Sequence, residues 1–352
     1  MISDRNFQKS RPFVLETENP LPGAGWMTPF IMTRYMNYIL SSCYPITMSV
    51  KELTRQIFRQ FVDSFDTILF DCDGVLWQGN EVISKAPDVI RRLRDLGKQP
   101  LFVTNNSTKS RSQYIEKFNK LGFQVSENEI FCTAYLAAIY MRNILKFDGK
   151  AYLMGSPGLE EEFKLFNINY TGAGPDPTTG NVEWTKTPLD PEIGAVVVGF
   201  DRDLSYNKLL KAASYLRDPS IPFIATNMDS CLPVRDSGYL VPGTGAIVSA
   251  VEMAAGRKPL VLGKPHKYMV DLIRENRYTL DPKRTVMVGD RLNTDILLGK
   301  NSSLQTLMVL TGVSTLAEVE ENTKSTDEET KKLVPDYYIE SLTEFSEILS
   351  EI

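Results

Sequence analysis

Two aspartates one residue apart, directly after a short apolar run, constrain the fold of this chain more than any other feature. The run 68–70 leads into Asp71 and Asp73, and Gly74 then allows the chain to turn away. An apolar run that ends in turn residues is typical of a buried parallel strand, and open α/β sheets bind ligands just beyond the carboxyl ends of such strands. Two carboxylates at that position repel each other unless a positive charge lies between them. The pattern therefore favours a Mg²⁺ site, with a strand followed by an acidic turn as the alternative interpretation.

Length and composition indicate a soluble protein of more than one domain. The 352 residues exceed what one ordinary core accommodates, and the hydrophobic content of 42% is normal for a globular chain. The net charge of −5, without a long Lys/Arg run, argues against nucleic acid as the main partner. No apolar run approaches the roughly 20 residues of a membrane span. We expect neither a nucleic-acid nor a membrane partner.

The numbers of cysteine and histidine residues exclude several kinds of metal site and catalytic mechanism. The four cysteines are widely spaced and form no C-x-x-C pair, which argues against a zinc site or a disulfide framework and favours a reducing compartment. We therefore expect a cytoplasmic protein. Because His266 is the only histidine, a multi-histidine metal site and a histidine-pair phosphotransfer mechanism are excluded.

Strand-like and helical segments alternate from residue 51 onward. Helical patterns occur at 86–96, 112–121 and 134–145. Apolar strand patterns occur at 67–71, 99–104, 259–263, 285–290, 305–310 and 337–339. This alternation predicts an α/β fold with a parallel sheet.

The segment 149–257 interrupts this alternation and is interpreted as a second α/β domain inserted into the first. It starts with many Gly, Pro, Thr and Asn residues, and it then shows its own strands and helices at 193–200, 204–216, 223–226 and 246–255. The predicted organisation has an N-terminal extension, partly disordered, at 1–60. The core then comprises 61–148 and 258–352, on either side of the inserted domain.

A polar loop follows the second predicted strand. Thr104, Asn105 and Asn106 offer a hydroxyl and backbone N–H groups at a strand-to-helix turn, which can cradle a phosphate. Residues of these types are also favoured at helix N-termini. Taken alone, the loop is better interpreted as a helix cap.

Two later motifs supply one positive and two negative charges. Lys264 follows the strand at 259–263 and could hold a phosphoryl oxygen. Asp290 ends the strand at 285–290 and would complete a carboxylate metal site with Asp71, while Asp295 would brace that site from behind. Each motif is weak alone, but together they occur in one order, each after an apolar strand.

These strings resemble the motifs of the haloacid dehalogenase superfamily of phosphatases. The matching strings are Asp71-Cys72-Asp73-Gly74-Val75, Thr104-Asn105-Asn106, Gly263-Lys264-Pro265 and Gly289-Asp290-Arg291-Leu292-Asn293-Thr294-Asp295. Two further strings resemble sequences of the phosphoglycolate, pyridoxal phosphate and p-nitrophenyl phosphatases. They are the first string extended through Leu76-Trp77, and residues 242–245. The resemblance covers residue 63 to the C-terminus. It implies a Rossmann-like core with a C2-type α/β cap inserted between the second and third motifs.

The resemblance also implies a role for each motif residue. Asp71 would be the nucleophile that forms an aspartyl-phosphate, and Asp73 would be the general acid and base. Phosphate would be bound by Thr104, Asn105, Asn106 and Lys264. Mg²⁺ would be held by Asp71, the Asp73 backbone carbonyl and Asp290, with Asp295 behind them. Relatives tend to dimerise through the cap, so a homodimer is expected.

The cap sequence bears on the substrate. Pyridoxal phosphate phosphatases carry a histidine before a proline in a cap loop, whereas Leu232 precedes Pro233 here. We therefore expect a small phosphomonoester, foremost 2-phosphoglycolate, and Arg202 is either a partner for its carboxylate or a solvated loop residue. The alternatives are a pyridoxal phosphate or phosphotyrosine-protein phosphatase, a phosphotransferase or mutase, and a non-catalytic binding protein on the same fold.

Overall fold

Two parallel sheets organise the chain in this computed structural model. The structure describes residues 50–177, 183, 186–232, 238–275 and 280–352, all within one compact unit, Met48–Ile352. The described strands are β1 Lys51–Glu52, β2 Thr67–Phe70, β3 Trp77–Gln78, β4 Glu81–Val82, β5 Gln99–Thr104, β6 Ile130–Cys132, β7 Lys150–Met154, β8 Asn169–Thr171, β9 Ile193–Val198, β10 Phe223–Ala225, β11 Leu260–Val261, β12 Thr285–Gly289, β13 Gln305–Val309 and β14 Tyr337–Ile339.

Helices connect and cover these strands. The described α-helices are α1 Arg55–Asp63, α2 Ala86–Asp95, α3 Arg111–Lys120, α4 Thr133–Ile139, α5 Pro157–Leu165, α6 Tyr206–Tyr215, α7 Thr244–Ala255, α8 Tyr268–Glu275, α9 Leu297–Asn301, α10 Leu316–Lys324, α11 Glu328–Lys331 and α12 Leu342–Leu349. Short 3₁₀ segments lie at Glu127–Glu129 and Pro282–Arg284, and π-helical turns at Tyr140–Ile144 and Leu292–Ile296. Within the described residues, no helix has the length and hydrophobicity that a membrane span requires.

The first sheet has seven parallel strands in the order β1-β14-β13-β12-β2-β5-β6. Strand β2 lies near its middle, between β5, which follows it in the first half of the chain, and β12, which comes from the last part. The strand order therefore reverses beside β2. Such a switch point opens a crevice at the carboxyl ends of the strands, and that crevice receives Asp71.

Strand β2 is apolar throughout because both of its faces are covered. Ile68 and Phe70 pack into one hydrophobic cluster and Leu69 into the cluster on the opposite side. All three side chains are fully buried. The continuous apolar run in the sequence is what a strand with helices on both faces requires.

The second sheet has five parallel strands in the order β11-β10-β9-β7-β8. Four of these strands come from the predicted inserted segment. The fifth, β11, was expected to resume the first sheet as the strand at 259–263, and this expectation is wrong: Leu260 pairs with Ile224 of β10. Two residues of strand suffice to complete the second sheet, and the chain returns to the core only afterwards.

The sequence prediction of an extension over 1–60 also needs correction at its end. Strand β1 pairs with β14, and Phe58 and Phe61 of α1 are buried in the main core. Residues 51–60 thus belong to the domain of the first sheet, because β1 extends that sheet and α1 covers apolar surface of it. Residues 1–49 lie outside the described residues. The remaining domain bounds stay a prediction.

Candidate active site

Three neighbouring strands of the first sheet deliver the predicted site residues to one edge. Asp71 directly follows β2, Thr104 is the last residue of β5, and Asp290 directly follows β12. Because these strands are parallel and adjacent, their carboxyl ends meet at the same edge. The three polar residues, which the sequence places after separate apolar strands, therefore lie close together in space.

The ammonium group of Lys264 joins the first acidic motif to the last. Its Nζ atom lies 2.6 Å from Oδ1 of Asp71 and 2.7 Å from Oδ1 of Asp295, and all three residues are buried. Nζ also donates to the carbonyl oxygen of Val103 at 3.3 Å. These three acceptors match the three N–H donors of a lysine, so the position of the ammonium group relative to Asp71 is fixed.

The carboxylate of Asp290 occupies space that two glycines leave open. An ideal Cβ built on Gly74 would lie 2.7 Å from Asp290 Oδ2, and one built on Gly312 would overlap the same oxygen. Val313 N donates to Oδ2 at 2.8 Å. Oδ1 is buried and has no hydrogen-bond partner among the described residues. A buried carboxylate oxygen without a partner is costly unless a cation or a proton satisfies it.

The acidic cluster fits a hard divalent cation. One carboxylate oxygen each of Asp71, Asp290 and Asp295 lies within 4.8 Å of the others. Asp295 is engaged on both oxygens, by Lys264 Nζ and by the backbone N–H of Arg291 at 3.1 Å. Asp71 and Asp290 therefore retain the free coordinating capacity. An all-oxygen donor set of this kind suits Mg²⁺.

The pKa values of the acidic residues and of Lys264 also indicate that this cluster carries more negative than positive charge. Burial raises the pKa of Asp71 well above its ordinary range, Lys264 opposes this effect, and Asp295 and Asp290 add to it. Burial together with Asp295 raises the pKa of Asp290 to about 6. Burial alone would lower the pKa of Lys264, but Asp295 and Asp71 outweigh it and raise the value. A bound divalent cation would reverse the shifts of the two coordinating carboxyl groups.

The polar loop after β5 is held by its own hydrogen bonds. Asn106 N donates to Thr104 Oγ1 at 3.1 Å, and Asn106 Oδ1 accepts from the N–H of Thr108 at 2.8 Å. The helix cap itself is Ser110, whose hydroxyl accepts from Gln113 N at the start of α3. Because the capping role falls to Ser110, the interpretation of residues 104–106 as the cap does not hold, and they line a cavity instead.

The side chain of Asn105 connects the two sheets. Its Nδ2 donates to Asp229 Oδ1 at 2.9 Å and to the Lys264 carbonyl oxygen at 3.1 Å, and its Oδ1 accepts from Lys264 N at 2.8 Å. Asn227 Nδ2 in turn donates to the Asn105 carbonyl oxygen at 2.6 Å. Asn105 is therefore fully engaged as a structural bridge, and a phosphate would meet its backbone N–H rather than its side chain.

A cavity of about 210 Å³ lies between the two sheets. Predicted site residues on its wall are Asp71, Asp73, Thr104, Asn105, Asn106 and Lys264. The second sheet and its loops contribute Phe200, Asn227, Asp229, Leu232 and Thr244, and the segment after β12 contributes Arg291 and Thr294. Asp290 and Asp295 lie beneath this wall. The arrangement can hold a small anionic group against Lys264 and the loop after β5.

Two residues singled out from the sequence lie elsewhere. Arg202 is exposed and lines a separate surface cavity with Asp201 and Asp203, which leaves it as the solvated loop residue of the two interpretations. His266 is also exposed. In contrast, sequence reasoning gave no role to Asp229, Arg291 or Gly312. Arg291 lies inside a recognised string, but only the fold shows that Arg291 and Asp229 face the cavity.

Comparison with known families and proteins decides the classification. Residues 68–169 match the family model described as haloacid dehalogenase-like hydrolase, and residues 261–345 match one described as HAD-hydrolase-like. Glycerol-3-phosphate phosphatase of Homo sapiens is 46% identical over 301 residues, which cover 83% of this chain and 93% of that protein. The chain belongs to the haloacid dehalogenase-like hydrolases.

Other relatives of this hydrolase are also phosphatases. Phosphoglycolate phosphatase 1A, chloroplastic, of Arabidopsis thaliana is 38% identical, with 87% of this chain and 82% of that protein covered. Among solved structures, a p-nitrophenyl phosphatase from Archaeoglobus fulgidus superimposes with a TM-score of 0.67 at 30% identity, covering 81% of this chain and 99% of that one. The predicted fold class, a Rossmann-like core with a cap, is confirmed, and so is the predicted enzyme class, a phosphoric monoester hydrolase.

Proposed function

We propose that this hydrolase cleaves small phosphomonoesters with the help of Mg²⁺ and through an aspartyl-phosphate on Asp71, with 2-phosphoglycolate as its substrate. The observation that carries the proposal is the buried contact between Lys264 Nζ and Asp71, at 2.6 Å, beside the unpartnered Oδ1 of Asp290. A nucleophilic carboxylate and a cation for the phosphoryl oxygens thus line the cavity, and a carboxylate that can ligate a metal lies directly beneath them.

The reaction divides into two transfers at phosphorus. An oxygen of Asp71 forms a bond to phosphorus while the ester P–O bond breaks, and Asp73 gives its proton to the leaving oxygen. A water molecule then forms a new P–O bond while the Asp71–phosphorus bond breaks, and Asp73 takes back a proton from that water. Free phosphate and an alcohol are the products. Lys264 and the N–H groups of the loop after β5 bind the transferred phosphoryl group.

Asp71 and Asp290 would hold Mg²⁺ together with the backbone carbonyl of Asp73, and Asp295 would position Lys264 behind them. When bound, the cation offsets negative charge on the phosphoryl group and on the acidic cluster. Asp295 contributes by fixing Lys264 with one oxygen and the turn at Arg291 with the other. The two oxygens of Asp295 thus join the lysine motif to the acidic motif.

Arg291 favours a substrate with a second negative charge. It lines the cavity. Burial raises the pKa of Asp229, and both Lys264 and Arg291 partly offset that effect. A guanidinium group at the cavity wall can pair with a carboxylate in a bidentate manner. This supports 2-phosphoglycolate, whereas the similarity to glycerol-3-phosphate phosphatases supports glycerol 3-phosphate as the second candidate.

Phosphate release by the purified protein tests the proposal. We would measure turnover of 2-phosphoglycolate, glycerol 3-phosphate, pyridoxal phosphate and a phosphotyrosine peptide, each with Mg²⁺ and with EDTA. We expect Mg²⁺-dependent hydrolysis of the small esters, and a rise in KM for 2-phosphoglycolate but not for glycerol 3-phosphate in Arg291→Gln. Turnover that is unaffected by EDTA would contradict the metal role, and a preference for the peptide would contradict the substrate class. Homodimerisation and a cytoplasmic location stay predictions.

A further inference from the structure

A buried indole holds one oxygen of Asp73. Trp77 Nε1 donates to Asp73 Oδ1 at 2.8 Å, and the Trp77 side chain is fully buried. Gly74 N donates to the Trp77 carbonyl oxygen at 2.8 Å, which closes the turn between the two residues. The indole N–H therefore has a fixed position relative to the carboxyl group.

Lys117 of helix α3 lies against both groups. Its Nζ atom is 4.2 Å from the centre of the Trp77 ring and 3.8 Å from Asp73 Oδ1. The Lys117 side chain is only 14% exposed, so solvent screens this charge weakly. A cation over an indole face is attracted by the ring, and the same cation attracts the carboxylate that the indole binds.

The same helix also fixes the indole. Phe118 meets the Trp77 ring edge to face, with ring centroids 4.9 Å apart, and Tyr114 stacks on it at 6.5 Å. Tyr114 and Phe118 are themselves buried. The orientation of the Asp73 carboxyl group thus depends on the packing of α3 against the turn after β2.

We propose that Trp77 and Lys117 are positioning residues for the general acid and base. They hold Oδ1 of Asp73, so that Oδ2 carries the proton exchanged with the ester oxygen and with water. This inference rests on the proposed function, in which Asp73 has that acid–base role. A catalytic group that is held by neighbouring side chains exchanges its proton in the productive geometry more often.

Leaving-group dependence provides the test. p-Nitrophenolate leaves without protonation, whereas the alkoxide of glycerol 3-phosphate requires a proton. The ratio of kcat/KM for the two esters therefore reports on acid catalysis, because a defect elsewhere in the site lowers both values. The variants are Trp77→Phe, which keeps an aromatic ring but removes the N–H donor, and Lys117→Met. Asp73→Asn removes the general acid itself and so shows the largest change in this ratio that loss of acid catalysis can cause. Lys117→Arg is the conservative variant, and Lys120→Met, at an exposed position of the same helix, is the control.

We expect Trp77→Phe and Lys117→Met to lower kcat/KM for glycerol 3-phosphate about tenfold more than for p-nitrophenyl phosphate, a part of the roughly 10²–10⁴ that a general acid contributes. Lys117→Arg and Lys120→Met should leave the ratio of the two values unchanged. Equal losses on both esters, or no loss, would overturn the positioning role. 2-Phosphoglycolate, whose leaving alkoxide also requires a proton, replaces glycerol 3-phosphate if the latter is not hydrolysed. If the wild-type protein hydrolyses none of the three esters, or if Asp73→Asn leaves the ratio unchanged, the proposed function itself is wrong. Circular dichroism checks folding, and Lys117→Met decides the question if Trp77→Phe does not fold.

Discussion

Asn105 of the first sheet donates a hydrogen bond to Asp229 of the second sheet, with 2.9 Å between Nδ2 and Oδ1. Asp229 is partly buried, and burial raises the pKa of its carboxyl group. The loop after β5 and the loop after β10, which both line the cavity, are therefore linked by one amide. Displacement of the second sheet would therefore disturb the loop at this edge of the first sheet.

Removing this acceptor should weaken catalysis without unfolding the protein. We expect Asp229→Ala to lower kcat/KM by about 10- to 100-fold, because a hydrogen bond to a charged group contributes about 1.5–3 kcal/mol. Asp229→Asn is the matched control, since its amide oxygen can accept the same hydrogen bond from Asn105. Steady-state kinetics with 2-phosphoglycolate would show the difference. Equal activity of the two variants would argue against the link.

Asp71→Asn should abolish hydrolysis while the fold is retained. An amide cannot form the phospho-enzyme, so we expect kcat to fall by about 10⁴-fold or more. The thermal unfolding midpoint should not fall, because the substitution removes one of several mutually repelling carboxylates. Phosphate release and circular dichroism measure the two quantities. Asp63→Asn, at an exposed position, should keep full activity, and retained turnover in Asp71→Asn would exclude the covalent mechanism.

Gly74→Ala should lower Mg²⁺-dependent activity more than Gly79→Ala, although both substitutions strain the backbone. Gly74 has a φ of +92° and Gly79 a φ of +59°, so alanine is strained at both positions. Only at Gly74 would the new Cβ meet a side chain, that of Asp290, because nothing lies within 4 Å of a Cβ at Gly79. We expect Gly79→Ala to lose about 1 kcal/mol of stability and no activity, and Gly74→Ala to lose Mg²⁺-dependent activity as well. Activity titrations with Mg²⁺ on both variants would reveal whether the clash matters.

Without a divalent cation, Asp290 should make the protein more stable at acid than at neutral pH. Its pKa is raised from 3.8 to about 6 in the fold, so the folded state favours the protonated form. The resulting stabilisation is complete below the unfolded value and is lost as the pH rises through about 6. With EDTA at pH 8, we expect Asp290→Asn to raise the free energy of unfolding by about 2–3 kcal/mol, and to have little effect near pH 4.

Addition of Mg²⁺ should reverse that comparison at pH 8. The wild-type protein gains binding free energy from the cation, whereas Asp290→Asn lacks one of the carboxylates that hold it. Urea unfolding at the two pH values, with and without Mg²⁺, measures all four states. A stabilising effect of Asp290→Asn that is the same at pH 4 and pH 8 would show that the charge of Asp290 is not its cause.

The strands and their polar ends could be predicted from the sequence because their causes are local. Ile68, Leu69 and Phe70 are all apolar because helices cover both faces of β2, and strand β5 has the predicted bounds, Gln99–Thr104. Parallel strands place their carboxyl ends together, so residues after each strand could be assigned to one site. The short strand β11 was assigned to the wrong sheet, since two residues of strand carry no signal of which partner they pair with.

The sequence placed the motif residues at one edge of the sheet, because each of them follows an apolar strand. Their roles as nucleophile, phosphate-binding lysine and metal ligands are implied by the family resemblance and stay predictions. Which atoms of these residues are held by neighbours, and which remain free, depends on contacts that form when the chain folds. Asp290 is framed by Gly74 and Gly312, Asp73 by Trp77 and Lys117, and Asn105 by Asp229. Apart from the Trp77 hydrogen bond, these contacts join segments far apart in the chain, and no local pattern of residue types specifies which distant side chains come into contact.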